Sequence, residues 1–270
     1  MTVGEAVRGA AEELRRTGAD SPRLDAELIL AHVLGCSRLA LYTRAGRELS
    51  AGERAAARAL LRRRARREPL AYVLGEWGFR SLTLRTDARA LVPRPETEEL
   101  VGRALALIAA VERPRVADVG TGSGAIALAL AAERPDAEVV ATDCSPAAVA
   151  LARENAARLR LAVDVREASL LDGVEGPLDL VVSNPPYVLP GEALAPELAF
   201  EPPGALIDAG QTEALARAAR ERLDGVLVVE VHAARARAVA GLLARLGYTD
   251  VAITRDLAGK ERIVEGRWTR

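Results

Sequence analysis

An α/β domain with a doubly wound, mostly parallel sheet, preceded by a small all-α domain, is the fold class that this 270-residue sequence predicts. Three observations predict it. From Val116 onward, short Val-rich runs alternate with helical stretches, the pattern of repeated strand–helix units. The first of these runs leads into a loop with Gly120, Gly122 and Gly124, and a helix follows. Residues 1 to 68 carry helix signals only.

In the N-terminal stretch, Ser21-Pro22 reads as a helix start, with Ser as N-cap and Pro at the first helical position. Leu24, Leu28, Ile29 and Val33 follow at helical spacing, and Gly35 stops the run. Ser50-Ala51-Gly52-Glu53 is a capping box that opens a helix to about Arg67. Its end, Arg62-Arg63-Arg64-Ala65-Arg66-Arg67, suits a polyanion or an acidic partner. A solvated helix end that complements the C-terminal dipole explains the run with less, and is the preferred reading.

Pro69 breaks the helical pattern, and "WGFRSLTLRTDARAL", Trp77 to Leu91, alternates as a β-hairpin would. Trp77 and Phe79 read as packing for that hairpin. Pro95, followed by Glu96, Glu98 and Glu99, starts another helix with acids in its first turn. Seven strands then follow: "RVADVG", "AEVVATD", "AVDVREA", "LDLVVSN", "GVLVVEV", "TDVAITRD" and "ERIVEGR". Helices fall after the first, second, fourth and fifth. The last two strands read as a hairpin around "LAGK", which would leave one antiparallel strand at the end of the sheet.

Composition narrows the class. Half of the residues are hydrophobic, enough for a full core, but only 3% are aromatic, so Ala, Leu and Val must fill it. The formal net charge is −1, from 37 basic and 38 acidic residues, which argues against a dedicated nucleic-acid binder. Cys36 and Cys144 stand far apart with no CxxC, so neither a disulfide framework nor a zinc site is expected. Met1 to Ala10 contains Glu5 and Arg8 and no long apolar core, unlike a signal peptide. No uncharged apolar stretch reaches the roughly 18 residues of a membrane span. These features predict a soluble cytoplasmic protein.

The loop "ADVGTGSGAIAL" sets Asp118, Gly120, Gly122 and Gly124 between a strand and a helix. Glycines let the backbone pass close to a ligand, and the helix N-terminus beyond favours polar or anionic groups. Gly120-x-Gly122-x-x-Ala125 also satisfies the dinucleotide fingerprint, with Asp143 at the next strand end placed for ribose hydroxyls. NAD and another adenosine cofactor both remain open at this point.

The fourth strand ends in Ser183, and Asn184-Pro185-Pro186-Tyr187 follows. Ligands of open α/β sheets bind beyond the carboxyl ends of the strands, so this tetrapeptide and the glycine loop should share one crevice. Two prolines make a stiff rim without backbone donors. Asn184 adds a side-chain carbonyl acceptor and an NH2 donor, and Tyr187 a flat face. The set suits a planar amide or amino group that presents two N–H hydrogens, one to Asn184 and one to a backbone carbonyl such as that of Pro185. As an isolated tetrapeptide it would equally suit a turn with a core tyrosine. His32 and His232 read as structural, and Cys144 as a small buried hydrophobe.

At these residues the chain resembles the class I S-adenosylmethionine (SAM) methyltransferases that act on planar nitrogen. "EPLAYVLGEWGF" (68–79), "LVPRPETEELV" (91–101) and "RDLAGKERIV" (255–264) narrow the resemblance to the release factor glutamine N5-methyltransferase family. "PRPETE" is the most discriminating piece, and the resemblance covers essentially the whole chain. It implies a helical substrate-recognition domain over 1–68, a linker with the hairpin over 69–95, and a methyltransferase domain with a seven-stranded sheet over 96–270. The implied substrate is the glutamine of the Gly-Gly-Gln motif of bacterial peptide chain release factors, with SAM as cofactor, S-adenosylhomocysteine as product and no metal.

By matched motif, the resemblance places Asp118, Gly120, Thr121, Gly122, Gly124, Asp143, Asn184 and Thr97 at the cofactor. It places Asn184, Pro185, Pro186 and Tyr187 at the glutamine, with Asn184, Pro185 and Tyr187 as the catalytic set. The chain departs from the family pattern in three places. Ser169 stands where an acid beside the adenine is common, with Asp172 three residues on. Glu230-Val231-His232 lacks a frequent glycine, and "LAFEPPGAL" has Ala199 where Arg is frequent. The rival substrates are a ribosomal-protein glutamine and a nucleic-acid adenine N6. The second would need base flipping and a basic groove, so a nucleic-acid substrate is not expected. A catalytically silent binding module would not need both loops intact.

Overall fold

The computed structural model describes residues 1–188 and 194–269. The chain divides into two compact units: Met1–Glu76 together with Leu194–Phe200, and Trp77–Ala193 together with Glu201–Arg270.

The first unit is helical: α1 (Val3–Arg16), α2 (Pro22–Val33), α3 (Arg38–Thr43), α4 (Ala51–Ala65) and α5 (Leu70–Leu74). The capping box at Ser50 forms, with Glu53 N–H donating to Ser50 Oγ at 3.1 Å and Ser50 N–H to the Glu53 carboxylate at 2.8 Å. On α2 the buried stripe is Ala26, Ile29 and Leu30, while Leu24 is exposed, so the expected apolar face is displaced. The cause is two buried acids on the same helix. Asp25 accepts from Arg64 Nε at 2.7 Å, and Glu27 accepts from Arg23 Nε at 2.9 Å and from the Tyr42 hydroxyl at 2.8 Å. A buried carboxylate needs such partners, and they outrank the placement of one leucine.

The arginine run of α4 is largely turned inward within this unit. Arg63 pairs with Glu68, and Arg64 donates to Asp25 and, at 3.0 Å, to Glu197. Arg67 donates twice to Glu197, at 2.6 and 2.8 Å. Only Arg62 and Arg66 of the run are exposed, so the structure favours the reading without a polyanion patch.

The second unit opens with a hairpin of β1 (Glu76–Phe79) and β2 (Leu82–Arg85), in which Phe79 is buried and Trp77 half-buried. The main elements follow: α6 (Pro95–Leu107), β3 (Arg115–Val119), α7 (Ala125–Glu133), β4 (Glu138–Asp143), α8 (Pro146–Leu159), β5 (Asp164–Glu167) and β6 (Leu178–Ser183). The chain ends with α9 (Gln211–Ala219), β7 (Leu223–Glu230), α10 (Ala236–Arg245), β8 (Thr249–Arg255) and β9 (Glu261–Trp268).

The seven-stranded sheet has the order β5-β4-β3-β6-β7-β9-β8. Pairings from β5 to β7 are parallel, and β9 is antiparallel to both β7 and β8. The antiparallel strand is therefore inserted one place inside the edge instead of standing at it. A short connection makes β8 and β9 neighbours without saying which of them pairs with β7. Burial follows the placement: Val264 of β9 is fully buried, whereas the residues of edge strand β8 are half-buried or exposed.

Side chains alternate across the sheet as period-2 strands require. Leu180 and Val182 of β6 enter one core with residues of α6, α7 and α8, while Val181 enters the other with residues of α9 and α10. Each fully buried Val or Leu contributes about 1.5–3 kcal/mol. The sheet grows from β3 one way through β4 and β5, then from β6 the other way. The reversal falls between β3 and β6, the position at which open α/β sheets bind ligands.

Candidate active site

A cavity of about 450 Å³ lies within the second unit at that reversal, in the size range of small-molecule sites. Its lining includes Gly120 to Ser123 after β3, Asp143 and Cys144 after β4, Ala168 to Leu170 after β5, and Ser183 to Pro186 after β6.

The glycine loop holds itself by backbone geometry. Gly120, Gly122 and Gly124 have φ of +72°, +57° and +84°. A Cβ at Gly120 meets no protein atom within 4 Å, so this backbone can lie against a ligand. Gly124 differs, because a Cβ there would stand 3.0 Å from Leu128 Cδ1 and 3.3 Å from Ala152 Cβ. Its glycine serves the packing of α7 on α8, and it does not line the cavity.

Asp118 is fully buried. Its Oδ2 accepts from Thr121 Oγ1 at 2.6 Å and from Ala127 N–H at 3.1 Å, while Oδ1 has no partner among the described residues. Burial pushes its carboxyl up to about 7, against those two hydrogen bonds and with help from the charge of Asp143. A buried carboxylate oxygen without a partner is costly, in keeping with the raised value. Asp143 accepts from Gly122 N–H on Oδ2 and from Ser145 N–H on Oδ1, both at 2.9 Å. Each oxygen keeps a lone pair, which fits a diol at the end of β4.

Ser183 joins the two loops: its buried Oγ donates to the Val119 carbonyl at 2.6 Å. Next to it, Asn184 Nδ2 donates to Thr97 Oγ1 at 3.1 Å, and Thr97 Oγ1 donates to Glu230 Oε2 at 2.8 Å. Thr97 lies in the first turn of α6, where Pro95 takes the first helical position, and Glu230 ends β7.

Of the residues singled out in the sequence, the cavity lining brings together Thr97, Gly120, Thr121, Gly122, Asp143, Asn184, Pro185 and Pro186. Asp118, Gly124 and Tyr187 are not part of it. Tyr187 is half-buried with its ring 6.3 Å from that of His232, and burial, with the Glu230 charge second, raises its hydroxyl pKa. His232 is exposed and caps a short 3-10 turn, and His32 is exposed on α2. Cys144 is exposed and lines the cavity, which overturns its reading as a buried hydrophobe. It follows the last residue of β4 and starts the loop to α8, so the sheet does not cover it. Ser169 lines the cavity, whereas Asp172 does not.

Two acids escaped notice as site residues. Glu201, 3% exposed, accepts from Val92 N–H at 3.2 Å and pairs with Arg94, so it pins the cavity-lining stretch before α6. Burial raises its pKa against the Arg94 charge. Glu230, 1% exposed, stands behind Thr97. Its signal in the sequence was an acid at the carboxyl end of an otherwise apolar strand.

Residues 5–75 match the family model described as the PrmC N-terminal domain, and residues 103–218 match that of the methyltransferase small domain. The release factor glutamine methyltransferase of Deinococcus radiodurans is 42% identical over 99% of this chain and 99% of its own. Among solved structures, the hMettl16 catalytic domain in complex with a 3'UTR hairpin superposes with a TM-score of 0.56 at 18% identity, over 78% of this chain and 81% of its own. A 16S rRNA methyltransferase of T. thermophilus in complex with AdoMet and guanosine gives 0.54 at 17% identity, over 72% and 49%. At such identities the likeness to the two structures is one of fold.

Proposed function

The chain belongs to the release factor glutamine methyltransferase family, and on that premise we propose that its cleft transfers a methyl group from SAM to the side-chain N5 of the glutamine in the Gly-Gly-Gln motif of bacterial release factors. The single observation that carries this reading is the meeting of the glycine loop and Asn184-Pro185 on one cavity at the sheet's reversal.

The residues present fit SAM. Gly120 and Gly122 offer backbone for close approach, and Asp143 suits the ribose diol. Bound there, SAM supplies an activated methyl group on a sulfonium leaving group. What remains for the protein is to bind, orient and polarise the acceptor.

An amide nitrogen is a poor nucleophile because its lone pair is delocalised into the carbonyl. Asn184 Oδ1 accepts one N–H of the glutamine and a backbone carbonyl of the Pro185 stretch the other, which fixes the direction of the lone pair. Positive charge grows on that nitrogen as the bond forms, so acceptors aimed at its hydrogens favour the transition state over the ground state. Holding nitrogen at the methyl group removes much of the entropic cost, up to about 7–11 kcal/mol for ideal alignment. Pro185 and Pro186 keep the rim stiff, and Tyr187 packs beside the amide. The helical unit, matched over residues 5–75, grips the release factor, so binding energy remote from the reaction positions the glutamine. Among the described residues no helix is long and apolar enough to cross a membrane, and the proposal sets the reaction in the cytoplasm.

Methyl incorporation from labelled SAM into a purified release factor tests the reading. A release factor whose Gly-Gly-Gln glutamine is replaced by alanine is the control. Label in the first and none in the second is the expected result. No label in either, with SAM bound, sinks the release-factor substrate, and the same assay on ribosomal protein and on DNA then takes up the rival substrates.

A further inference from the structure

We propose that Thr97 and Glu230 are positioning residues for Asn184, forming a hydrogen-bond relay that decides which end of the Asn184 amide faces the reacting glutamine. The inference rests on the reading of Asn184 as the acceptor for the glutamine NH2.

An asparagine side chain is nearly symmetric in shape, and its oxygen and NH2 ends exchange by a half-turn about one bond. Only one arrangement accepts an N–H from the substrate. The other presents a donor to a donor and repels it. Selecting the productive arrangement requires a neighbour of fixed polarity, and Thr97 alone does not provide one, since a hydroxyl both donates and accepts. Glu230 removes the ambiguity. An ionised carboxylate only accepts, so above its pKa of about 7 the Thr97 hydroxyl must give its hydrogen to Glu230 Oε2, at 2.8 Å. What Thr97 then turns to Asn184 is a lone pair, and Asn184 answers with its NH2, at 3.1 Å. Oδ1 is left for the substrate side.

The inner bond of the relay is buried: Thr97 is 4% and Glu230 1% exposed, so water competes little for the bond between them. It draws on three separate elements, the first turn of α6, the end of β7 and the loop after β6. Glu230 does not line the cavity, so its place behind Thr97 is not that of a substrate or cofactor contact. Burial pushes its carboxyl up to about 7; the Thr97 hydrogen bond and the Arg262 and Arg94 charges oppose this, and Glu96 adds to it. The Tyr187 hydroxyl also feels its charge. Keeping a carboxyl in so unfavourable a place is understandable if its acceptor-only polarity is used.

The test measures steady-state methyl transfer to a release factor, and SAM affinity by calorimetry, at about pH 9, where Glu230 is ionised. The variants are Thr97→Val, which keeps the shape and removes the hydroxyl, and Thr97→Ser, which keeps the hydroxyl. Thr97→Ala stands in should the valine variant not fold. We expect Thr97→Val to lower kcat about tenfold or more while SAM affinity stays within about twofold, and Thr97→Ser to restore most of kcat.

Wild-type kcat in Thr97→Val, alongside an impaired Asn184→Ala, overturns the relay and leaves the functional reading standing. Equal losses in the valine and serine variants, or a loss of SAM affinity matching the loss in rate, also overturn it, the latter making Thr97 a cofactor contact. Wild-type turnover in Asn184→Ala overturns the underlying reading instead.

Discussion

The loop after β3 keeps its shape through its own backbone, with positive φ at Gly120, Gly122 and Gly124 and a carboxylate from the neighbouring strand accepting from Gly122 N–H. The loop after β6 borders the same cavity but is held from outside. The side chain of Asn184 donates to Thr97, 87 residues earlier, and Thr97 in turn to Glu230, 133 residues from it. The contrast follows from what each loop offers. Backbone N–H groups point where φ and ψ send them, so a glycine loop needs few partners. A side-chain amide has two ends alike in shape but opposite in polarity, and a neighbouring group must choose between them. Local shape serves the first loop and tertiary polarity the second.

Both loops also sit over a buried acid, and here too they differ. Glu230 has both a hydrogen-bond donor and a role for its acceptor in the free protein, whereas one oxygen of Asp118 lacks a partner. The former is suited to orienting a side chain, and the latter holds Thr121 and the first turn of α7.

The sharpest way to break the comparison is Asn184→Ala. Loss of this acceptor should lower kcat by about 10²-fold or more, by analogy with loss of one oxyanion-hole donor, while SAM affinity measured by calorimetry holds. Next come two glycines of the first loop, which should fail differently. Gly124→Ala combines strained φ with crowding against Leu128 and Ala152, and should cost about 1–3 kcal/mol of stability in denaturant titration. Gly120→Ala shares the strained φ but meets open space, so it should cost less stability and have its larger effect on SAM affinity. Equal losses of stability in the two would erase the distinction between packing and ligand approach.

A pH series on Glu230→Gln sharpens the role of the buried acid. In the folded protein Glu230 holds its proton to about 7, against an ordinary value of 4.5, so the native state binds more protons than the unfolded state within that window. Wild-type stability therefore falls as pH rises from 4.5 to about 7, by up to about 1.4 kcal/mol per pH unit from this group. The neutral variant lacks this contribution, so it should gain on the wild type across the window. Thermal melts at matched pH values that run parallel would mean that Glu230 is not buried as described. The smallest effect is expected from Ser183→Ala, which removes the bond from Ser183 Oγ to the Val119 carbonyl. A loss of about 1 kcal/mol is the ordinary worth of one such bond, read from the denaturation midpoint.

Much of this molecule could be read before its structure. All seven strands of the main sheet and the helices around them stand where Val-rich runs, N-cap residues and prolines place them. So does the capping box at Ser50, because such signals act within a few residues. The glycine loop was legible for the same reason, as was the shared crevice, since strand ends of a doubly wound sheet converge at the reversal. The failures share one cause, a partner far along the chain. The buried face of α2 turned because Asp25 meets Arg64. β9, not β8, pairs with β7, a contact between strands that the short β8–β9 connection does not specify.

Local sequence thus determined the elements, their order, the glycine loop after β3 and the Asn184–Tyr187 tetrapeptide after β6, since each depends on φ preference, side-chain period or capping within one turn or strand. The tertiary structure alone decided that Gly124 serves packing rather than the cavity, that Cys144 lies open, and that Glu230 stands behind Thr97 and Asn184. Hydrogen-bond polarity passes through space, not along the chain, so the orientation of that one amide becomes defined only when α6, β6 and β7 come together.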